Sequence, residues 1–333
     1  MSTMRPAGRV LVTGATGFTG NHLCLRLSAE GQAVRALVRD PRKASDLQRA
    51  GVELALGDLR DRESLQRAVK GIDIVYHIGA IFRPENVSRK EMWAVNVEGT
   101  RALLDASVGA GVRRFVHCST AGVHGGIKNP PANEETPYGP GDYYQESKTE
   151  GERIALRYMT EGRIPAVVFR PAGIYGPGDL RFLKLIKAIN ARKFVMLGRG
   201  TVQYQLVFVE DLIDGILLCG TSPSAPGNVY ILTGEPPVTL NRLVEVIAGV
   251  LKVPSPRWHF PVTPVYAAGY LCELLFKPLK INPPLYRRRV DFFRKTRAFD
   301  ISKAKRDLGF NPRIGLQDGL ETTISWYRQM SLL

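Results

Sequence analysis

Val10-Leu11-Val12-Thr13-Gly14-Ala15-Thr16-Gly17-Phe18-Thr19-Gly20 sets an apolar strand directly before three glycines spaced GxxGxxG and a helix-forming run. The first glycine permits a tight turn. The second lets backbone N–H groups approach a pyrophosphate, and the third allows close helix–sheet packing. The helix N-terminus then turns partial positive charge toward phosphates. A glycine triplet alone also fits a structural turn. The strand-then-helix context favours a dinucleotide phosphate site built from Gly14, Thr16, Gly17, Phe18, Thr19 and Gly20.

Outward from that stretch, short β-branched runs alternate with amphipathic segments, the pattern of βαβ units and a parallel sheet. Arg9–Thr13, Ala33–Val38, Val52–Leu56, Ile72–His77, Arg114–Ser119 and Ala166–Arg170 read as strands. Asn21–Glu30, Arg62–Val69, Glu91–Gly109 and Tyr143–Thr160 read as helices between them. Runs such as Val10-Leu11-Val12 and Val167-Val168-Phe169 are apolar on both faces, as strands between two helix layers must be. Gly and Pro in Ile174-Tyr175-Gly176-Pro177-Gly178 break the pattern. Beyond them, helices at Phe182–Asn190, Glu210–Cys219, Leu240–Leu251 and Leu316–Gln329 mix with short strands at Phe194–Leu197, Leu206–Val209 and Val229–Thr233. The expected protein is α/β: a Rossmann-type doubly wound parallel sheet over residues 1–173, with some later segments returning to it. A smaller mixed α/β C-terminal substrate domain, or cap, spans 174–333.

A length of 333 residues suits about two domains, and 44% hydrophobic with 23% charged residues excludes a disordered or collagen-like chain. Forty-six Lys and Arg against 31 Asp and Glu leave a formal charge of +15. Between Tyr286 and Arg306, nine basic residues (Arg287, Arg288, Arg289, Arg294, Lys295, Arg297, Lys303, Lys305, Arg306) face only Asp291 and Asp300, which concentrates +7 there. Such a block suits nucleic acid, an anionic membrane or a phosphorylated ligand, or serves solubility alone. No nucleic-acid recognition motif accompanies it, so nucleic acid is not an expected partner. Cys24, Cys118, Cys219 and Cys272 are far apart, with no CxxC pair, which argues against a disulfide framework or structural zinc and for a reducing, cytoplasmic setting. His22, His77, His117, His124 and His259 show no ligand spacing either, so no metal is expected. Met1–Arg9 lacks the apolar core of a signal peptide, and the longest apolar segment, Val265–Phe276, is too short to span a bilayer.

Three further features bear on chemistry. The second strand ends at Val38 with Arg39 following; an arginine there, with Lys43, suits a 2′-phosphate and favours NADP, whereas Asp40 next door would serve NAD. The bland alternative is a solvated surface arginine. Tyr144-Gln145-Glu146-Ser147-Lys148 is a YxxxK, whose ends lie one turn apart on one helical face. A lysine ammonium there stabilises a phenolate, tuning a group that starts near ~10 toward working pH for proton exchange with an alcohol or carbonyl. The lysine can also hold the nicotinamide ribose hydroxyls. Tyr143 would pair with Ser147 instead, so Tyr144 is the candidate acid/base. Lastly, Cys118-Ser119-Thr120-Ala121-Gly122-Val123-His124-Gly125 follows the fifth strand, where a hydroxyl is needed to orient the reacting oxygen.

Together these motifs resemble the extended short-chain dehydrogenase/reductase family, of the NAD-dependent epimerase/dehydratase type, from Arg9 to Tyr327. Gly57-Asp58-Leu59, His77-Ile78-Gly79-Ala80, Asn96-Val97-Glu98-Gly99-Thr100, Arg170-Pro171, Tyr175-Gly176-Pro177-Gly178-Asp179 and Val209-Glu210-Asp211-Leu212 extend the resemblance. It implies that Thr120 is the catalytic hydroxyl, with Ser119 its neighbour, beside Tyr144 and Lys148. It also implies that Asp58, with Leu59, holds the adenine, that Gly79 and Ala80 line the cofactor, and that Pro171 sits beside the nicotinamide.

The family divides between nucleotide-sugar epimerases, dehydratases and reductases, and enzymes of apolar carbonyls such as 3β-hydroxysteroids. Nucleotide-sugar members commonly carry an arginine just before the strand leading into V-x-D-L, where it binds the diphosphate. In Gly200-Thr201-Val202-Gln203-Tyr204-Gln205-Leu206-Val207-Phe208-Val209-Glu210-Asp211, Tyr204 stands in that place, with Arg199 and Arg181 as compensating candidates. Trp258-His259-Phe260-Pro261-Val262 and then Val265–Phe276 are apolar nearly all round, apart from Glu273. Such a helix is expected to pack into its own domain; lining an apolar substrate pocket or docking on a bilayer are the alternatives. This cap, with Pro283-Pro284-Leu285 and Arg297-Ala298-Phe299-Asp300-Ile301-Ser302-Lys303-Ala304, looks like the tail of 3β-hydroxysteroid and sterol-4-carboxylate 3-dehydrogenases (decarboxylating).

The expected function is therefore NAD(P)-dependent interconversion of a ring alcohol and ketone on a sterol- or terpenoid-like substrate. A nucleotide-sugar 4-epimerase, dehydratase or reductase is the runner-up. A dinucleotide-sensing regulator is disfavoured by the intact Tyr144, Lys148 and Thr120. A small-molecule substrate is the expected partner, with a homodimer and peripheral contact with an anionic membrane left open.

Overall fold

The computed structural model describes residues 8–82, 87–276 and 283–333. Met1–Ala7, most of the stretch read for a signal peptide, lie outside the described residues, as do the side chains of Arg288 and Arg289 in the basic run.

Strands β1 (Val10–Thr13), β2 (Val34–Val38), β3 (Glu53–Leu56), β4 (Ile74–His77), β5 (Arg114–Cys118) and β6 (Ala166–Pro171) form the first half of the chain. Helices α1 (Phe18–Ala29), α2 (Ser45–Arg49), α3 (Arg62–Val69), α4 (Arg89–Trp93), α5 (Gly99–Gly109) and α6 (Tyr143–Thr160) connect them. Next come β7 (Gly173–Tyr175), α7 (Leu183–Asn190), β8 (Met196–Leu197), β9 (Gln203–Tyr204), β10 (Leu206–Phe208), α8 (Val209–Thr221) and β11 (Val229–Leu232). The chain closes with β12 (Val238–Thr239), α9 (Leu240–Leu251), β13 (His259–Phe260), α10 (Val262–Phe276), α11 (Arg287–Val290), α12 (Ser302–Leu308) and α13 (Leu316–Gln329).

The central sheet runs β3-β2-β1-β4-β5-β6-β11, and every pair in it is parallel. This is the doubly wound order, with the switch point between β1 and β4, where such sheets open a crevice at the strands' carboxyl ends. The strands alternate between two apolar layers. Val10 and Val12 join one core cluster with Leu23 of α1 and Leu212 of α8, while Leu11 joins the other with Leu65, Leu103 and Ile154 of α3, α5 and α6. That two-sided burial is why β1 and β2 carry no exposed residue. The chain beyond residue 173 contributes to both parts: β11 is the seventh strand of the sheet, and α8 packs on α1, β5 and β6. Short pairs β7–β10, β9–β12 and β8–β13 form three further two-stranded sheets.

Three expectations change. The single helix over residues 91–109 is α4, then a π-helical turn Ala94–Glu98, then α5. A π-turn inserts an extra residue per turn, often at functional sites, and here it turns Asn96 inward. Second, α10 is not packed into its own domain. Only Gly269 and Glu273 of its described residues are buried. Third, the basic run is largely committed to neighbours. Arg287 pairs with Glu273, Arg294 and Lys295 with Asp291, Lys305 with Glu235, and Arg306 with Asp307. Acids brought in by folding, such as Glu235 and Glu273, are invisible to a local charge count.

Candidate active site

Gly14 leaves β1 in the left-handed region (φ +69°), and a Cβ there would stand 2.7 Å from the Cα of Gly79, just past β4. The two strand ends flank the switch point, and they close on each other because Gly14 lacks a side chain; a Cβ on Gly79 would be tight as well, 3.1 Å from the Gly14 nitrogen. Gly20 is equally constrained, since its Cβ would fall 2.2 Å from the Gly14 carbonyl oxygen. Gly17 caps α1 without a side-chain hydrogen bond, and the first turn holds no acid. By contrast α3 and α6 start on Asp61 and Asp142, whose carboxylates accept first-turn N–H groups. Thr16 and Gly17 are exposed, Phe18 is half-buried, and Thr19 and Gly20 are buried. An uncapped helix start with an unopposed dipole fits the pyrophosphate of a dinucleotide.

At the adenosine end, Arg39 and Lys43 are exposed just beyond β2. Asp40 is engaged: its carboxylate accepts from the Arg42 backbone N–H (3.1 Å), Nε (2.9 Å) and Nη2 (3.0 Å). Asp58 is held by Arg60 through Nε (2.9 Å) and Nη2 (2.8 Å). That guanidinium, with a smaller contribution from Arg39, holds the Asp58 carboxyl below its ordinary range, so it stays an acceptor able to meet an adenine amine. Leu59 is nearly buried against Gly79 and Gly99, and Ala80 is half-buried beside them. Pro171 is buried at the end of β6, opposite Leu232.

The two adjacent tyrosines of α6 part company. Tyr143 packs on Trp93, with the Arg89 guanidinium 4.9 Å from its ring, whereas Tyr144 meets Phe82 edge-on at 5.0 Å. One turn on, Lys148 is buried, and its Nζ donates to the Cys118 carbonyl at 2.6 Å. Burial pushes its pKa down from the usual lysine value. The hydroxyls after β5 also separate. Ser119 is buried and donates to the Glu152 carboxylate, so its proton is committed. Thr120 is half-buried, and its Oγ1 accepts from the Gly122 N–H at 3.1 Å, leaving its own proton to give.

Glu152, fully buried, is the hub of this region. It also accepts from the Tyr138 hydroxyl (2.8 Å) and from Arg170 Nε (3.1 Å), while Arg170 Nη1 reaches His124 Nε2 (3.1 Å) and the Glu134 carbonyl (2.9 Å). His124 must therefore accept at Nε2 and donate from Nδ1 to the Pro137 carbonyl. Tyr138 is pushed up to about 12 by burial and Glu152. No spacing rule singles out Glu152. Its one sequence signal is that it follows Lys148 by one helical turn.

A directed hydrogen-bond chain joins the glycine loop after β1 to α6. Thr100 Oγ1 donates to the Asn96 carbonyl (2.8 Å), so it accepts from His77 Nε2 (2.9 Å). His77 Nδ1 then accepts from Thr13 Oγ1 (2.8 Å), which itself accepts from the Gly79 N–H (3.1 Å). Onward, Asn96 Nδ2 donates to Ser147 Oγ (3.0 Å), and Ser147 donates to the Tyr144 carbonyl (2.8 Å). Gly151 lets α6 approach: a Cβ there would lie 2.7 Å from the Asn96 carbonyl oxygen. Burial, with the Lys148 charge, holds His77 down at about 3. The same causes, with His77 itself, hold His117 well below its ordinary value.

In β9, Tyr204 is buried, donates to the Phe292 carbonyl at 2.6 Å, and takes a hydrogen bond from Arg297, whose guanidinium lies 4.9 Å over its ring. Arg181 is committed to Asp179 and to the Ile174 carbonyl (2.7 Å). Arg199 is exposed.

The sequence pattern of the NAD dependent epimerase/dehydratase family matches residues 10–232. The chain is 32% identical to the 3 beta-hydroxysteroid dehydrogenase/Delta 5→4-isomerase of Mycobacterium tuberculosis, over 96% of this chain and 90% of that one. It is 28% identical to sterol demethylase protein B of Methylococcus capsulatus, over 97% and 99% of the two chains. Among solved structures, MoeE5 in complex with UDP-glucose and NAD superposes with a TM-score of 0.77 at 27% identity, covering 97% of this chain and 100% of that one.

Proposed function

The chain belongs to the NAD dependent epimerase/dehydratase family of NAD(P)-dependent oxidoreductases, and on that premise we propose that it interconverts a ring alcohol and its ketone on a sterol- or terpenoid-like substrate. The observation that carries the substrate reading is Tyr204. Where nucleotide-sugar members place a diphosphate-binding arginine, this side chain is buried, and its hydroxyl is occupied by the protein itself. Arg181 is tied to Asp179 and a carbonyl, so it is a poor substitute. Phe82 adds an apolar wall beside Tyr144. The likeness to a hydroxysteroid dehydrogenase and a sterol demethylase protein along nearly the whole chain points the same way.

When bound, NAD(P) accepts or supplies hydride at its nicotinamide ring. Tyr144 takes the alcohol proton in oxidation or gives one to the ketone oxygen in reduction. Lys148, one turn away, favours the phenolate electrostatically. One of its three N–H donors is on the Cys118 carbonyl, and the others suit ribose hydroxyls. Thr120, already accepting from Gly122, donates to the reacting oxygen and fixes its position. The glycine loop, Asp58, Leu59, Gly79, Ala80 and Pro171 would hold the dinucleotide. Arg39, with Asp40 diverted to Arg42, supports NADP. If the substrate carries a carboxylate beside the carbon oxidised, the ketone formed can take up its electrons as an enolate while carbon dioxide leaves.

The test is to purify the protein, identify its bound nucleotide, and follow reduced nicotinamide spectroscopically with a ketosteroid and with UDP-glucose. Exchangeable NADP(H) consumed with the ketosteroid is expected. Tightly retained NAD, with turnover of the sugar nucleotide and no net absorbance change, would assign an epimerase instead. Tyr144→Phe should abolish turnover while leaving cofactor affinity intact; retained turnover would remove Tyr144 from its role.

A further inference from the structure

Of the twelve large apolar side chains exposed among the described residues, six fall between residues 258 and 275: Trp258, Phe260, Tyr270, Leu271, Leu274 and Leu275. The helix that carries four of them is inverted. Its buried positions are Gly269 and Glu273, one turn apart, and Glu273 accepts from the Arg287 N–H (2.9 Å) and Nη2 (3.0 Å). A Cβ on Gly269 would stand 3.3 Å from the Arg287 nitrogen, so α11 lies close against that stripe. The one acid of α10 is thus turned inward and paired while its leucines face out. A contiguous exposed apolar patch of this kind marks an interaction site.

The charge around the patch is one-sided. Along the sequence from residue 246 to 290 there are seven Lys and Arg against a single acid, Glu273; Lys277, Lys280 and the side chains of Arg288 and Arg289 lie outside the described residues. Arg294 lies 3.9 Å over the Tyr266 ring and Arg287 4.9 Å over Tyr270, so two guanidiniums, each also paired with an acid (Asp291 and Glu273), lie against the aromatic residues of α10. On the other side, β13 pairs with β8, and the Met196 N–H meets the Trp258 carbonyl at 3.0 Å. Lys193 and Arg192 stand three and four residues before Met196 in the chain. Arg192, Lys193 and Arg257 are exposed and have no acidic partner among the described residues.

We propose that this face, Trp258–Phe260 together with α10, docks on an anionic lipid bilayer, its leucines at the acyl boundary and its cations among the headgroups. No helix among the described residues is long and apolar enough to cross a membrane, so the contact is in-plane. At ~1.5 Å per residue, α10 supplies about 22 Å of helix for it. A second copy of the chain fits less well: stacked on itself, this face would set the unpaired Arg192, Lys193 and Arg257 of one copy against like charges on the other. The docking uses none of Thr120, Tyr144 or Lys148, so it stands or falls apart from the substrate reading.

Co-sedimentation of the full chain with vesicles tests it, using phosphatidylcholine alone and phosphatidylcholine with one-third phosphatidylglycerol. The protein should sediment with the anionic vesicles, not with phosphatidylcholine alone, and raised salt should release it. Leu274→Asp/Leu275→Asp and Arg192→Glu/Lys193→Glu/Arg257→Glu should each weaken vesicle binding at least about tenfold. Both should keep the wild-type thermal midpoint and affinity for NADPH. Equal binding to both vesicle types would overturn the proposal. So would absence of vesicle binding from a protein that is dimeric until Leu274→Asp/Leu275→Asp makes it monomeric.

Discussion

Replacing His77 with Gln should flatten the acid side of the stability profile. In the folded protein this imidazole is buried, accepts from Thr13 and donates to Thr100, and is held down at about 3 against an ordinary 6.5. In that window the unfolded chain binds a proton that the folded chain refuses. Stability from His77 is therefore complete above 6.5, falls as pH drops below it, and is fully lost below about 3. Each pH unit inside the window is worth about 1.4 kcal/mol, so lowering the pH from 8 to 5 removes roughly 2 kcal/mol. The Gln variant should be less stable at the higher pH by about 1–3 kcal/mol, because an amide cannot serve both threonines. At the lower pH the gap should shrink by the amount the wild type has lost. Urea unfolding of both proteins across that range measures this; the difference between them cancels the contribution of His124 and retains only the part of the His117 shift that His77 itself causes. Parallel stability curves would refute the buried neutral imidazole and the direction of its hydrogen bonds.

Arg39→Ala should weaken NADPH binding by roughly tenfold or more, the worth of a charge-assisted hydrogen bond to phosphate, and change NADH binding by less than about threefold; fluorescence titration with both nucleotides checks it. Ser119→Ala should cost about 1.5–3 kcal/mol of stability through its lost bond to Glu152 while sparing turnover. Thr120→Ala should do the reverse, lowering kcat roughly 10²–10³-fold with a change of about 1 kcal/mol in stability from the lost cap on Gly122. Steady-state rates on a ring ketone and denaturation midpoints, measured on both variants, separate the two roles. Glu152→Leu leaves the Arg170 charge buried without its carboxylate and should destabilise by about 3–5 kcal/mol in chemical denaturation.

Much of the sheet was legible because burial on both faces leaves a distinctive mark: unbroken apolar runs bounded by glycine and polar turns. Helix α6 could be delimited to its ends because Asp142 caps it and its periodicity is regular. The π-turn at Ala94–Glu98 could not, since an inserted residue shifts a helical pattern without breaking it. The glycine loop and the YxxxK are local in sequence and could be located. Asp40 was ambiguous for a related reason: whether it faces a ribose or a neighbouring guanidinium depends on a turn only two residues long. Glu152 and Arg170 meet across 18 positions of chain, and their joint hold on Ser119 is a tertiary fact. The hydroxyl that remains available, Thr120, is distinguished by what its neighbour is already doing.

Helix α10 shows the limit most sharply. A run that is apolar on every side has almost no direction of its own, so its pattern cannot say which face turns inward. What orients it is Glu273, the residue that looked like a blemish in an apolar helix. Paired with Arg287, its carboxylate can be buried; unpaired, it would have to face water and would turn the leucines toward the protein. The buried carboxylate, paired with the part-exposed Arg287, thus sets the direction of the helix, and the direction leaves the apolar side exposed. The active site inverts the same logic. There the buried polar groups Thr13, His77, Thr100 and Asn96 have their donors and acceptors assigned in one direction, and they hold the loop at Gly14 and Gly79 in register with Tyr144. In both places the polar group in the interior chooses among arrangements that hydrophobic burial alone would leave nearly equal.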